Sequence, residues 1–150
     1  MKFNSVDELL DFAIKEEEDA AAFYAGLSDR MEKPYMKKVF SDFSKEEMGH
    51  KAKLLGVKEG KHLEPSSKKI LDLKIGDFLV EESPKIDMDY QSALVLAMKK
   101  EKAAFQLYNA LSESTDDANL KKTLIALAQE EAKHKLRFEV EYDEMFFAEN

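Results

Sequence analysis

ALAQEEAKHKLRF, residues 126–138, and FSKEEMGHKAKL, residues 43–54, carry the same device: Glu131 with His134 and Glu47 with His50, each pair set in an otherwise apolar helical stripe. Residues three apart lie on one face of an α-helix, so each pair can present a carboxylate oxygen and an imidazole nitrogen to one point. One such pair is common by chance. Two pairs, each preceded by a helix with a glutamate at matched spacing, form a pattern.

The pattern is an internal repeat. Residues 13–54 superimpose on 97–138 without a gap, bringing Ala13, Glu17, Ala20, Tyr24, Leu27, Glu46, Glu47 and His50 onto Ala97, Glu101, Ala104, Tyr108, Leu111, Glu130, Glu131 and His134. A period this long exceeds a solenoid unit and reads as two copies of one helical hairpin.

Working outward, Ser5-x-x-Glu8 is a capping box that starts a first helix with the stripe Val6, Leu10, Ala13, Glu17, Ala20, Tyr24, Leu27, Met31. Pro34 suits the first turn of a second helix, striped Met36, Phe40, Phe43, Glu47, His50, Leu54, Val57. Residues 58 to about 87 carry Gly60, Pro65, Gly76 and Pro84 around a short amphipathic piece, Ile70 to Val80, and read as a crossover along the bundle. Asp87 or Asp89 can cap a third helix with Tyr90, Leu94, Ala97, Glu101, Ala104, Tyr108 and Leu111 inward. Asp116 or Asp117 begins a fourth, with Leu120, Leu124, Leu127, Glu131, His134, Phe138 and Met145 inward. The expected fold is all-α: a four-helix bundle of two helical hairpins joined by a long crossover, in one domain over residues 1–150.

Composition agrees. Five glycines and three prolines in 150 residues, with 36% charged residues, favour long helices with solvated outer faces. A net charge of -8 argues against a nucleic-acid partner, which would need a basic stripe. The sequence has no apolar run of membrane-span length and opens without a signal-peptide pattern, so a cytoplasmic protein with no membrane partner is expected. Without cysteine, any metal must be held by carboxylate and imidazole.

The stripes hold six polar intruders, Glu17, Glu47, His50, Glu101, Glu131 and His134, and no lysine or arginine. Four buried carboxylates without counter-charge would each cost several kcal/mol or take up protons. Two divalent cations cancel that charge, and two neutral histidines add nitrogen ligands. Carboxylate-rich sites with one histidine per metal suit iron or manganese, with iron the first choice, whereas structural zinc prefers Cys/His sets and calcium takes oxygens only. The competing reading of the six, a set of exposed helix charges, does not explain their repetition inside apolar stripes.

On these residues the chain resembles the ferritin-like di-iron carboxylate proteins, whose pattern is one Glu from each of two helices plus Glu-x-x-His from each of the other two. Within them it is most similar to the rubrerythrin family, through EEEDAAAFY (16–24), DLKIGDFLVEESP (72–84) and ALVLAMKKEKAAFQLY (93–108) as well. The resemblance implies that Glu47 and Glu131 bridge two irons, that Glu17 and Glu101 are terminal carboxylates, and that His50 and His134 each cap one metal. Tyr24 and Tyr108 would donate hydrogen bonds to carboxylates, though both also fit as ordinary buried tyrosines. Rubrerythrins proper carry a further carboxylate where this chain has Ala104, mirrored by Ala20, and a C-terminal rubredoxin domain that the sequence lacks.

The implied function is an oxidoreductase reducing hydrogen peroxide or dioxygen, with electrons from a separate donor protein and a homodimer as the expected assembly. The alternatives are a ferroxidase and iron-storage protein of bacterioferritin type, or a bundle whose metals only stabilise it. Glu46 and Glu130 sit one step off the stripe, as solvated groups or partners of the ligands. His62 reads as a surface histidine, and Met48 as packing in preference to a haem ligand.

Overall fold

The computed structural model describes residues 3–60, 84–85 and 88–147. Four α-helices run in the order α1 (Val6–Arg30), α2 (Pro34–Gly60), α3 (Tyr90–Glu113) and α4 (Ala118–Tyr142), and a π-helical turn, Asp143–Phe147, follows. Most of the predicted crossover, including Ile70 to Val80 and His62, lies outside the described residues. Its predicted start at residue 58 is too early, because α2 continues to Gly60.

The ends of the helices follow from local chemistry. Ser5 Oγ accepts from the Glu8 amide at 3.1 Å, while the Glu8 carboxylate reaches back one residue further than a reciprocal box, to the Asn4 amide at 2.9 Å. Pro34 opens α2, where its missing N–H costs nothing. Asp89, not Asp87, caps α3 by accepting from Ser92, and Asp117, not Asp116, caps α4 by accepting from Leu120.

α1 and α2 form an antiparallel hairpin across a three-residue turn. Bonds spaced along it fix the register: Asp11 with Lys58, Glu18 with Lys51 at 3.0 Å, Ala21 with Ser44 at 2.8 Å and the Lys37 carbonyl with Ser28 at 2.8 Å. α3 and α4 pair in the same way. The two hairpins bury their stripes against each other in two apolar clusters. One is mainly aliphatic, with Leu9, Leu10, Leu54, Leu111, Leu120, Leu124 and Leu127 fully buried. The other is aromatic, around Tyr24, Phe40, Phe43, Tyr90 and Phe138. The six polar intruders lie between them.

The predicted stripes are buried along most of their length, with Met36, His50 and Val57 of α2 part-buried. Met145 is 43% exposed rather than inward, because the helix widens to π geometry from Asp143 and the extra residue per turn rotates later side chains off the stripe. Met48, expected as packing, is 46% exposed: it follows Glu47 by one step, about 100° round the helix. Ala20 and Ala104 are only half-buried, and Ala21 is fully buried in place of Ala20. Among the described residues, no helix is long and apolar enough to cross a membrane.

Candidate metal centre

Each helix contributes to one cluster. α1 supplies Glu17, α2 Glu47 and His50, α3 Glu101, and α4 Glu131 and His134; the four glutamates are at most 2% exposed and His134 is 3% exposed. The i, i+3 spacing turns each Glu–His pair inward, and the antiparallel hairpins bring the pairs to the same depth from opposite directions. The imidazole rings lie parallel, 5.5 Å apart.

The arrangement has approximate two-fold symmetry. His50 Nδ1 is 2.8 Å from Glu131 Oε1 and 3.6 Å from Glu17 Oε2, while His134 Nδ1 is 3.0 Å from Glu47 Oε1 and 3.6 Å from Glu101 Oε1. Two groups of four follow, Glu17, Glu47, His50 and Glu131, and Glu47, Glu101, Glu131 and His134; within each, one ligand atom per residue lies within 4.8 Å of the others. They share Glu47 and Glu131.

Tyrosines tie the cluster across the hairpins. The Tyr24 hydroxyl of α1 donates to Glu101 Oε1 on α3, and the Tyr108 hydroxyl of α3 donates to Glu17 Oε1 on α1. Burial, reinforced by the carboxylates facing them, pushes both phenols well above their ordinary value, so they remain donors.

The other inward atoms have no such partner. Glu17 Oε2, Glu47 Oε1, His50 Nδ1, Glu101 Oε2, Glu131 Oε1 and His134 Nδ1 are buried and lack an aligned hydrogen bond among the described residues. Six orphaned atoms, four oxygens and two nitrogens, converging on two points form a donor set that fits two divalent cations. The charge balance points the same way. Burial lifts the Glu47 and Glu131 carboxyls well above the usual carboxylate range, so the two shared groups hold protons where no cation is bound. Glu101 is lowered: burial acts against it, but bonds from Glu131, His134 and Tyr24 outweigh that. His134 rises to about 10, burial again opposing and Glu101 and Glu47 prevailing.

The two halves differ at their outer edge. His134 Nε2 lies 2.9 Å from Glu46 Oε2, and Arg137 clamps that carboxylate through contacts of 3.0 and 2.9 Å. Phe43 stands edge-on to the His134 ring at 5.0 Å. The repeat mate Glu130 instead pairs with Lys133 at 3.3 Å. Sequence reasoning left Glu46 and Glu130 open between solvated groups and partners of the ligands, and Glu46 proves to be such a partner.

These features define a ferritin-like four-helix bundle with a buried carboxylate–histidine cluster. The sequence matches the family model described as Rubrerythrin over residues 8–142, and the chain belongs to the rubrerythrin family. A solved structure of a hypothetical protein from Pyrococcus furiosus shares the fold, with a TM-score of 0.65 and 26% identity over 93% of this chain and 89% of that one. No curated protein matches the sequence.

Proposed function

We propose that the chain is a di-iron oxidoreductase that reduces hydrogen peroxide or dioxygen with electrons from a separate donor protein. The observation that carries this reading is the pair of four-residue groups sharing Glu47 and Glu131. Glu17 and His50 would complete one position and Glu101 and His134 the other, with Glu47 and Glu131 available to both. Two iron ions held there would supply both electrons needed to cleave an O–O bond. Hydrogen peroxide, two electrons and two protons give two waters, while dioxygen with two electrons and two protons gives hydrogen peroxide.

The chain's own residues do the rest. Tyr108 and Tyr24 hold the outer oxygens of Glu17 and Glu101, leaving one oxygen of each to face inward. Glu46 holds the far nitrogen of His134. The two apolar clusters close the centre above and below, lowering the local dielectric and excluding bulk water.

The test is metal analysis of protein purified without added metal, followed by stopped-flow mixing of the reduced, iron-loaded protein with peroxide or dioxygen. Two irons per chain, oxidised rapidly, support the reading. A metal-free protein that takes up no iron, or bound iron that neither oxidant touches, would refute it.

A further inference from the structure

A cavity of about 30 Å³ opens between α1 and α3 and reaches Glu17, Glu47, Glu101 and Glu131. These four glutamates are at most 2% exposed, and each keeps one buried oxygen without an aligned hydrogen bond. Neither histidine lines the cavity, so it approaches the cluster from the side opposite Glu46 and Arg137. Its wall is made by Ala20 and the adjacent pair Ala103 and Ala104, and this is why Ala20 and Ala104 are half-buried where the stripe predicts full burial. Glu16 and Lys100, each half-buried, stand at its rim with opposite charges.

We propose that this alanine-walled cavity is the passage by which a small oxidant, hydrogen peroxide or dioxygen, reaches the cluster, and that its width excludes alkyl hydroperoxides. The inference rests on the di-iron reading above. The cavity, about 30 Å³ or roughly two water-sized guests, includes space the cations would share, so the room left beside the alanines suits at most a molecule of two oxygens and not a branched alkyl group. The opposite charges of Glu16 and Lys100 leave that edge of the cavity without net charge, which suits a neutral guest. The approaches along the bundle axis are sealed by the apolar clusters.

The experiment uses the full chain loaded with iron and follows two signals: oxidation of the reduced protein by hydrogen peroxide or tert-butyl hydroperoxide, and binding of azide to the oxidised protein by visible absorption. The parent should react with hydrogen peroxide at least ~100-fold faster than with the alkyl peroxide, a steric discrimination within the range of a tight pocket. Ala104→Gly should widen the passage and shrink that ratio, which separates sterics from intrinsic reactivity. Ala104→Leu, with metal content and unfolding midpoint unchanged, should lower both azide affinity and peroxide rate by about 10-fold or more. Ala20→Val provides the same narrowing from α1 should the leucine variant not fold.

Equal parent rates for the two peroxides, an unchanged ratio in Ala104→Gly, or unaltered azide affinity in the narrowed variants would each overturn the proposal. If peroxide fails to oxidise the loaded parent while azide binding still weakens in Ala104→Leu, the oxidoreductase reading falls and the passage stands.

Discussion

Glu46 is more than a solvated neighbour of a ligand. Its Oε2 sits 2.9 Å from His134 Nε2, and a proton held between them leaves Nδ1 with its lone pair facing inward. Glu46→Ala should therefore weaken one of two metal-binding steps by about 10- to 100-fold, with Glu46→Gln recovering part of the loss. Titration with cobalt(II), followed by absorption, would resolve the two steps; identical titrations of parent and Glu46→Ala would remove this role. The crossed tyrosine bonds make a second prediction. Tyr24→Phe leaves Glu101 Oε1 buried without its donor, at a cost of about 1–3 kcal/mol in urea denaturation, and Tyr108→Phe should do the same to Glu17. The family resemblance implied that these hydroxyls would meet carboxylates. It could not indicate that each crosses to the other hairpin, because that depends on how the hairpins dock.

The helices were readable because their apolar residues recur with the helical period and their first turns carry recognisable caps. Asp117→Ala, which removes the bond to the Leu120 amide, should cost about 1 kcal/mol, measured by thermal unfolding; an unchanged midpoint would mean that α4 does not depend on this cap. Met145 was misplaced because a π turn leaves no mark in a pattern that assumes a constant period. Ala20 and Ala104 were placed inward because small apolar residues read alike whether they face a core or line a gap. The carboxylate–histidine cluster was readable for a different reason: charged residues recurring inside an apolar stripe violate the rule that defines the stripe. Glu46 lies off the stripe, so no violation marks it. The repeat also conceals a difference between the two ends of the bundle, since Phe40, Phe43 and Phe138 superimpose on Leu124, Leu127 and Leu54.

At the scale of the molecule, the buried charges make stability depend on pH in opposite ways with and without metal. In the metal-free protein Glu47 and Glu131 keep protons above the ordinary carboxyl value of 4.5, and His134 keeps its proton from 6.5 to about 10. Over those ranges the folded chain binds more protons than the unfolded one, so its stability falls as pH rises. Glu101, lowered, acts oppositely: its contribution is present above pH 4.5 and is lost as pH falls through its lowered value. Bound cations would replace the protons on Glu47, Glu131 and His134, so metal affinity should rise with pH. Urea denaturation at pH 5, 7 and 9 checks this. Chelated protein should weaken across the series while the stabilisation added by metal grows; a chelated protein equally stable at all three would contradict the assignment.

The six candidate ligands divide evenly between the hairpins, Glu17, Glu47 and His50 on one and Glu101, Glu131 and His134 on the other, and each group of four borrows one glutamate from the opposite hairpin. Neither hairpin alone can complete a position. Severed within residues 61–83, the chain becomes a complementation pair whose reassembly reports free metal. Each of the two metals, at 100 times its dissociation constant, would add about 2.7 kcal/mol to the association, a change of roughly 100-fold per metal in the concentration at which the halves find each other.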